Sequence, residues 1–570
     1  MAGLFDPITI RGVEIPNRIV MPPMTTRLAG ADGEVTPELT AYYLERARGG
    51  VGLITVEMTS PEPAGRHRAG ELCIIHERYR SGLRQLNARL HEAGARTSVQ
   101  IGHAGGHTRE DVTGYPPVAP SALPHVVQER DTRTVVPLEM SPDRIRQAVH
   151  AFAQAADFAK EGGFDMAEIH GAHGYLIAQF LSPLDNRRTD EYGGSLANRA
   201  RFALEVVRVC REKVGDFPLV FRISADEMAP GGLAPEEAVE VCRWLVDAGA
   251  DVLHVSAGCY RSRPSGAVMT PPMNYPEGVF LHLAEKVKAA VQVPVIAVGR
   301  LHDPALARRV VAGGQADMVA LGRALIADPH WPQKAREGRG EAICPCICCN
   351  TCVDDMREGS QIRCLVNPAA GRETRLVFTP ATPGKRVLVV GGGPAGMTAA
   401  SILARRGHRV ALHEKATVLG GQLLWAQKAP RFQNVATNAS VLQKFIDYLA
   451  AELRRTGVSI TLGEPAGLRT IAAWQPDSIV LASGASYRFP LSWIIPPLLL
   501  SPLMKARWMG ALTGHRLVKW FFFRVARKSN NRLARTLRAK GMEVNPIGDC
   551  RLAGKTPEAI AAAAELAYRL

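Results

Sequence analysis

The start of this chain lacks an export signal. MAGLFDPITI carries no charged-then-apolar leader, so the expectation is cytoplasmic residence and reduced thiols, not a disulfide framework. Long hydrophobic runs are also missing. The apolar stretch from Leu491 to Met504 is too short to span a bilayer and contains three prolines. Acidic residues are few beside basic ones, 54 against 69, which leaves a net charge of +15. That surplus favours anionic partners: nucleotide cofactors, acyl-CoA, an acidic redox protein or a membrane surface. Nucleic acid is not expected, because no helix-turn-helix, zinc-finger or RNA-binding signature accompanies the charge. What remains is an ordinary globular composition, 46% hydrophobic and 22% charged. At 570 residues it suffices for two or three domains.

Cysteine is unevenly spread. Six of the eleven fall within ICPCICCNTCVDDMREGSQIRCLVNP, residues 343 to 368. Cys346, Cys349, Cys352 and Cys364 read as C-x2-C-x2-C-x11-C: three thiolates on one tight loop and a fourth returning later. This spacing suits an iron–sulfur cluster, whose four thiolates converge from different directions. Structural zinc is the rival, though it usually takes two well-separated C-x2-C pairs. Cys344 and Cys348 are surplus to either reading.

The first 340 residues alternate short apolar runs with longer amphipathic ones. The runs begin at residues 19, 52, 97, 165, 219, 251, 294 and 317, and each is too short for a helix. Near-continuous apolarity fits strands buried on both faces. Amphipathic segments over 143–163 and 235–250 end at glycine, as helices commonly do. Eight such units, with no dinucleotide glycine signature on the first strand, predict a (β/α)8 TIM barrel whose functional residues lie where strands end. Gly299-Arg300 and Gly322-Arg323 follow strands seven and eight, a common barrel phosphate site. Gln100 and Arg222 lie late in strands three and five, where a buried polar side chain wants a ligand. A salt bridge across the barrel mouth is the bland alternative for Arg222. Together these residues point to a bound mononucleotide.

After the linker LVFTPATPGK, an apolar strand meets Gly391-x-Gly393-x-x-Gly396, a helix follows, and a second strand ends at Glu414. Strand, glycines, helix and acid in this order predict a Rossmann-like fold, with the helix N-terminus on a pyrophosphate and Glu414 on a ribose hydroxyl.

Here a resemblance becomes specific. EIHGAHGYLIAQFLSPLDNRRTDEYGGSLANRARF (168–202) and LFDPITIRGVEIPNRIVMPPM near the start resemble the Old Yellow Enzyme family. With the cysteine stretch and second flavin domain, the chain resembles that family's multi-cofactor branch of 2,4-dienoyl-CoA reductases and trimethylamine dehydrogenases. The resemblance implies FMN on the barrel, a 4Fe–4S cluster, and FAD (or ADP alone) in the C-terminal part. It implies substrate binding by His170 and His173, and proton donation by Tyr175. Two imidazoles donating to a carbonyl oxygen would draw electrons from a conjugated double bond, and a phenol would protonate its α-carbon. Pro23 and Met24 match the family's flavin-contacting turn, with Thr25 where some relatives carry a flavin-tuning cysteine. Gly421 and Gln422 match a flavin-side loop, and Asp549 in PIGDC matches the residue on the ribityl chain. One departure is Tyr260, which stands where the dienoyl-CoA reductases place a histidine.

The expected domains are a barrel over 1–340, an iron–sulfur segment and linker over 341–380, and an FAD-binding domain over 381–485 and 544–570. Residues 486–543 stand where the family inserts an NAD(P)H domain, yet they hold no second G-x-G-x-x-G. They are basic and aromatic instead: Trp508, Trp520, Phe521, Phe522 and Phe523 among Lys505, Arg507, Arg516, Lys519, Arg524, Arg527 and Lys528. Three roles stand open for them: capping the sheet, docking an acidic partner, or touching a membrane surface. A homo-oligomeric enzyme exchanging hydride between FMN and a small organic substrate is the expectation, either reducing an activated C=C bond or dehydrogenating a donor. A non-catalytic electron-transfer subunit is the alternative.

Overall fold

The computed structural model describes residues 2–129, 131–487, 515, 517, 527–529 and 532–570. The chain divides into two compact units: residues 1–338 with 352–362, and residues 339–351 with 363–570.

The first unit is built on eight parallel strands closed into a barrel: β1 (Ile19–Met21), β2 (Leu53–Thr59), β3 (Arg96–Ile101), β4 (Met166–Gly171), β5 (Leu219–Ser224), β6 (Val252–Ser256), β7 (Val295–Ala297) and β8 (Met318–Ala320). All eight apolar runs of the sequence become these strands. Strands β1 and β2 are buried at every position, as a sheet covered on both faces requires. The intervening helices follow local rules. Helix α1 (Pro142–Glu161) starts on a Ser141 cap that accepts from the Arg144 N–H. Ala148, Val149, Phe152, Ala155, Ala156 and Ala159 form its buried stripe.

A hairpin of Ile8–Ile10 and Val13–Ile15 precedes the barrel and was not legible in the sequence, because three-residue strands show too little alternation. Its two-residue loop, Arg11-Gly12, has positive φ at both positions (43° and 79°), the geometry that matches strand twist. Ile10 and Ile15 pack with Val20, Leu53, Met166, Val220, Val252 and Ile296 in one cluster. That cluster leaves the opposite, C-terminal strand ends to polar residues.

The second unit carries a five-stranded parallel sheet in the order β11-β10-β9-β12-β13: β9 (Arg386–Val390), β10 (Arg409–Glu414), β11 (Ser459–Leu462), β12 (Ser478–Leu481) and β13 (Val544–Pro546). The order reverses after β9, and the helix Pro394–Arg405 springs from that strand's C-terminal end. The close packing there depends on glycine. A Cβ at Gly396 would lie 1.9 Å from the Gly391 carbonyl oxygen, and one at Gly391 (φ 116°) would lie 2.4 Å from that of Ala482. The basic aromatic stretch lies outside the described residues, apart from Arg527 and Lys528, whose backbone pairs with Ser486–Tyr487. Among the described residues, no helix is long and apolar enough to cross a membrane.

Backbone, unlike a flexible side chain, has no rotamer that yields to a new methyl group. Gly396→Ala is therefore expected to destabilise the second unit by on the order of 1–3 kcal/mol. Amide exchange should quicken in β9 and β12 while the barrel strands, as internal control, keep their rates. Unchanged exchange in β9 would mean that the helix shifts without cost.

Candidate active site

Each of five consecutive barrel strands carries a buried ionisable or amide side chain: Glu57 on β2, Gln100 on β3, Glu168 on β4, Arg222 on β5 and His254 on β6. Strand register sets their neighbours, pairing Gln100 with Glu168, and His170 with Arg222 and Arg222 with His254. Glu168 accepts from Gln100 Nε2 at 2.6 Å and meets His254 Nδ1 at 2.7 Å. Burial alone would raise its carboxyl, but His254, Arg222 and Gln100 outweigh burial and hold it below the usual carboxylate range. His254 is itself pushed down by burial and by Arg222, so a neutral ring donates through Nδ1–H.

His170 and His173 stand above this layer. Their ring centroids are 5.2 Å apart, and His170 lies 5.0 Å from the Tyr175 ring. Burial, then the Arg222 charge, pushes both imidazoles well below their ordinary pKa, so both are neutral. His173 has positive φ (65°), a strained conformation for a residue with a Cβ. Its N–H donates to Ser224 Oγ at 2.9 Å, and its Nε2 is 2.8 Å from Ser256 Oγ. Tyr175 Oη lies 3.1 Å from His67 Nδ1 and 3.4 Å from Tyr260 Oη. Arg68 Nε, which can only donate, also approaches His67 Nδ1 at 3.2 Å. That nitrogen must then be an acceptor, so the Tyr175 hydroxyl donates to it. Burial, reinforced by Tyr260, pushes the Tyr175 phenol well above 10, so it keeps its proton at neutral pH. Tyr260 goes the other way: burial would raise it, but Arg357 and Arg68 outweigh that and lower it.

The structure thus brings together His170, His173, Tyr175, Gln100 and Arg222. It adds His67, Arg68, His107, Tyr260, Glu57, His254 and Arg357. His107 stacks obliquely on Tyr260, with centroids 4.9 Å apart. Of these, Glu57 and His254 carried a readable signal, the one ionisable residue in a buried strand. His67, Arg68 and Arg357 sit in a loop and a helix end, where spacing gives no cue.

The other flavin-side positions group by strand end. Met24 follows β1, and a Cβ at Gly322 would lie 3.1 Å from its Sδ, so the Pro23-Met24-Thr25 turn adjoins the start of the segment after β8. Gly299 has φ 116° and faces Phe280. Arg300 Nη1 donates to the Pro272 and Tyr275 carbonyls, and Arg323 Nη2 donates to the Pro271 carbonyl at 2.8 Å. Both guanidiniums therefore also hold the 271–275 loop. Several buried atoms here have no hydrogen-bond partner: Arg222 Nε, His170 Nδ1, His254 Nε2, Glu57 Oε1 and Arg300 Nε. A buried guanidinium without a partner is costly. Donors of this kind at the strand ends fit the anionic, carbonyl-bearing FMN.

In the second unit Glu414 accepts from the Gly392 and Ala416 N–H groups at 2.6 and 2.8 Å, leaving lone pairs for a hydroxyl. Gly393 caps the following helix, and a Cβ at Gly421 would come within 2.8 Å of its Cα. Gln422 opens the helix Gln422–Ala426. A Cβ at Gly548 would approach that of Ala395 at 3.2 Å, which brings buried Asp549 to the same helix start. The cysteine loop bends through positive φ at Cys348 and Asn350. Cys346 Sγ accepts from the Cys348 N–H at 3.4 Å, and Cys349 Sγ is 3.3 Å from Thr351 Oγ1. Cys352 and Cys364 are half-buried. Among the described residues, no three His, Cys, Asp or Glu side chains are grouped to hold a single metal ion.

An imidazole that stays neutral when folded but has an ordinary pKa near 6.5 when unfolded stabilises the fold above that pH, and loses the contribution as pH falls. For His170→Gln, the fall in stability below about pH 6 should be shallower by about 1.4 kcal/mol per pH unit. Urea titrations of both proteins at several pH values would read this, and coincident slopes would mean that His170 protonates in the fold.

Comparison with known proteins bears on this geometry. The NADH:flavin oxidoreductase / NADH oxidase family matches residues 3–342, and the FAD dependent oxidoreductase family matches residues 386–480. An NADH oxidase of Thermoanaerobacter brockii is 45% identical over 489 residues, covering 85% of this chain and 73% of that one. A cinnamate reductase of Clostridium sporogenes is 36% identical over 513 residues, covering 85% and 74%. Among solved structures, a 2-naphthoyl-CoA reductase bound to 2-naphthoyl-CoA superposes with a TM-score of 0.90 at 26% identity, over 100% of this chain and 99% of that one. The chain belongs to the NADH:flavin oxidoreductase / NADH oxidase family as an FMN-dependent oxidoreductase with an FAD-type second domain.

Proposed function

We propose that the barrel reduces a carbon–carbon double bond conjugated to a carbonyl group. The observation that carries this reading is the convergence of two neutral imidazoles, His170 and His173, on a phenol, Tyr175, that holds its proton. Bound against the strand ends by Gln100, Arg222, the Pro23-Met24-Thr25 turn and the Gly299-Arg300 and Gly322-Arg323 segments, FMN would supply the hydride equivalent that the double bond takes up. His170 and His173 donate hydrogen bonds to the carbonyl oxygen. Being neutral, they polarise it without protonating it outright. The Ser224 and Ser256 contacts fix the His173 ring for this role. Tyr175 gives its proton to the α-carbon, and Tyr260, with the lower pKa of the two, restores it. Proton transfer in that order runs from the stronger acid to the weaker.

The second domain and the cysteine loop extend the reading. FAD fits Gly391, Gly393, Gly396, Glu414, Gly421, Gln422 and Asp549. Cys346, Cys349, Cys352 and Cys364 fit a 4Fe–4S cluster. In support, Cys346 accepts an N–H as a thiolate does, whereas the thiols of Cys344 and Cys348 point at the Val366 and Cys346 carbonyls as protonated donors. A cubane holds its thiolates farther apart than one ion's shell does, so a single-ion grouping is not what this motif calls for. The charge of +15 supports an acidic redox protein as electron partner, with docking that weakens as salt rises.

Anaerobically reduced enzyme mixed with 2-cyclohexenone should reoxidise and release cyclohexanone. In Tyr175→Phe that step should slow by about 10²–10⁴-fold. If enones leave the reduced flavin untouched while amine donors bleach the oxidised enzyme, the barrel is a dehydrogenase and the reading fails. For the loop, Cys364→Ala should lose the iron and acid-labile sulfide of anaerobically purified protein while FMN content stays at one per chain. Zinc in place of iron in the unmodified protein would count against the cluster.

A further inference from the structure

We propose that Arg68 and Arg357 form a carboxylate clamp beside Tyr175 and Tyr260, so that the molecule reduced in the barrel carries a carboxylate remote from its activating carbonyl. The proposal rests on reading His170, His173 and Tyr175 as the substrate site.

The argument begins with where the charge lies. Arg68 is only 3% exposed. Its Nε donates to His67 Nδ1 at 3.2 Å, and its Nη1 reaches the Met356 carbonyl at 3.5 Å. Tyr175 Oη is 3.1 Å from the same His67 nitrogen, so the guanidinium Nε and the phenol oxygen lie no more than about 6.3 Å apart. Arg357 ends the helix Thr351–Arg357 and directly follows Met356, the residue whose carbonyl Arg68 reaches, and its charge helps to lower the Tyr260 phenol. That phenol lies 3.4 Å from Tyr175. Two guanidiniums thus lie on the side of one pair of phenols, and the Arg68 guanidinium is held by a ring nitrogen and a carbonyl, neither of which neutralises its charge.

Nearby carboxyls do not supply the missing charge. Burial lifts Glu71 to about 8 and Glu57 to about 7, so the first is mainly neutral at pH 7 and the second about half so. Glu71 instead accepts the backbone N–H groups of His67 and Arg68 at 2.7 and 3.1 Å. A buried guanidinium that lacks a counter-charge, as at Arg68, is expensive. A ligand that supplies the counter-charge recovers that cost on binding.

Its chemistry follows from the donors left over. The loop N–H groups that a phosphate would use are already taken by Glu71. What remains are planar guanidinium forks beside flat rings, His67, Tyr175, Tyr260 and His107, with centroids 4.9 to 6.5 Å apart. A planar, singly charged carboxylate on an unsaturated or aromatic frame suits that arrangement.

The probes are 4-hydroxybenzoate and 4-hydroxybenzamide, nearly equal in shape and differing in charge, titrated against the oxidised holoenzyme by flavin absorbance. The acid is expected to bind at least about 10-fold tighter than the amide. Arg357→Gln and Arg68→Gln should each bring the ratio of the two affinities toward one. Should Arg68→Gln fold poorly, Arg357→Gln and the unmodified enzyme decide the matter. Equal affinities in the unmodified enzyme overturn the clamp, as does a ratio that survives both substitutions. If the amide binds and 2-cyclohexenone is still reduced in that case, the enone-reductase reading stands alone. If neither probe perturbs the flavin and the enone is inert, both fall.

Discussion

The Glu168 carboxylate is the constraint on which the barrel site depends. It is 1% exposed, charged, and held by Gln100 and His254 from the strands on either side of the β4–β5 pair. Removing it would leave a buried amide and imidazole without an acceptor, and would leave Arg222 without its nearest negative charge. One acid therefore sets the orientation of two polar side chains from two strands and balances the charge of Arg222 on a third. Its charge also explains why Arg222 can remain buried with its Nε unpartnered, ready for a ligand.

Burial does the second part of the work. The same desolvation that would make a lone carboxylate costly keeps His170 and His173 neutral and keeps the Tyr175 proton in place. A site whose hydrogen-bond donors are uncharged can polarise a carbonyl without trapping it as a salt. Against that neutral centre, Arg68 and Arg357 bring positive charge to one side. The chemistry proposed for the centre and the selectivity proposed for the edge both draw on the same low-polarity surroundings, acting on different residue types.

The second unit solves a different problem with backbone. Gly391, Gly393, Gly396 and Gly421 remove the side chains that would hold strand, helix and loop apart, and Glu414 ties two backbone N–H groups to the strand end. The cysteine loop likewise bends through positive φ at Cys348 and Asn350.

Periodicity made the eight barrel strands legible, since a strand buried on both faces must be apolar almost throughout. Glycine spacing made the nucleotide fold legible, because close backbone approach admits no substitute. His170, His173 and Tyr175 were readable as a motif because they lie within six residues at the end of one strand. The hairpin at 8–15 was not, being too short to show a pattern, nor was the loop pair His67 and Arg68. The sequence by itself determined the two folds and the types of chemistry they hold. Only the tertiary structure decided that Tyr175 donates to His67, that Tyr260 is its neighbour, and that an arginine from within the cysteine segment lowers that phenol's pKa. The reason is physical: proton position and buried charge depend on which distant segments exclude water from the same few ångströms, and no local pattern records that.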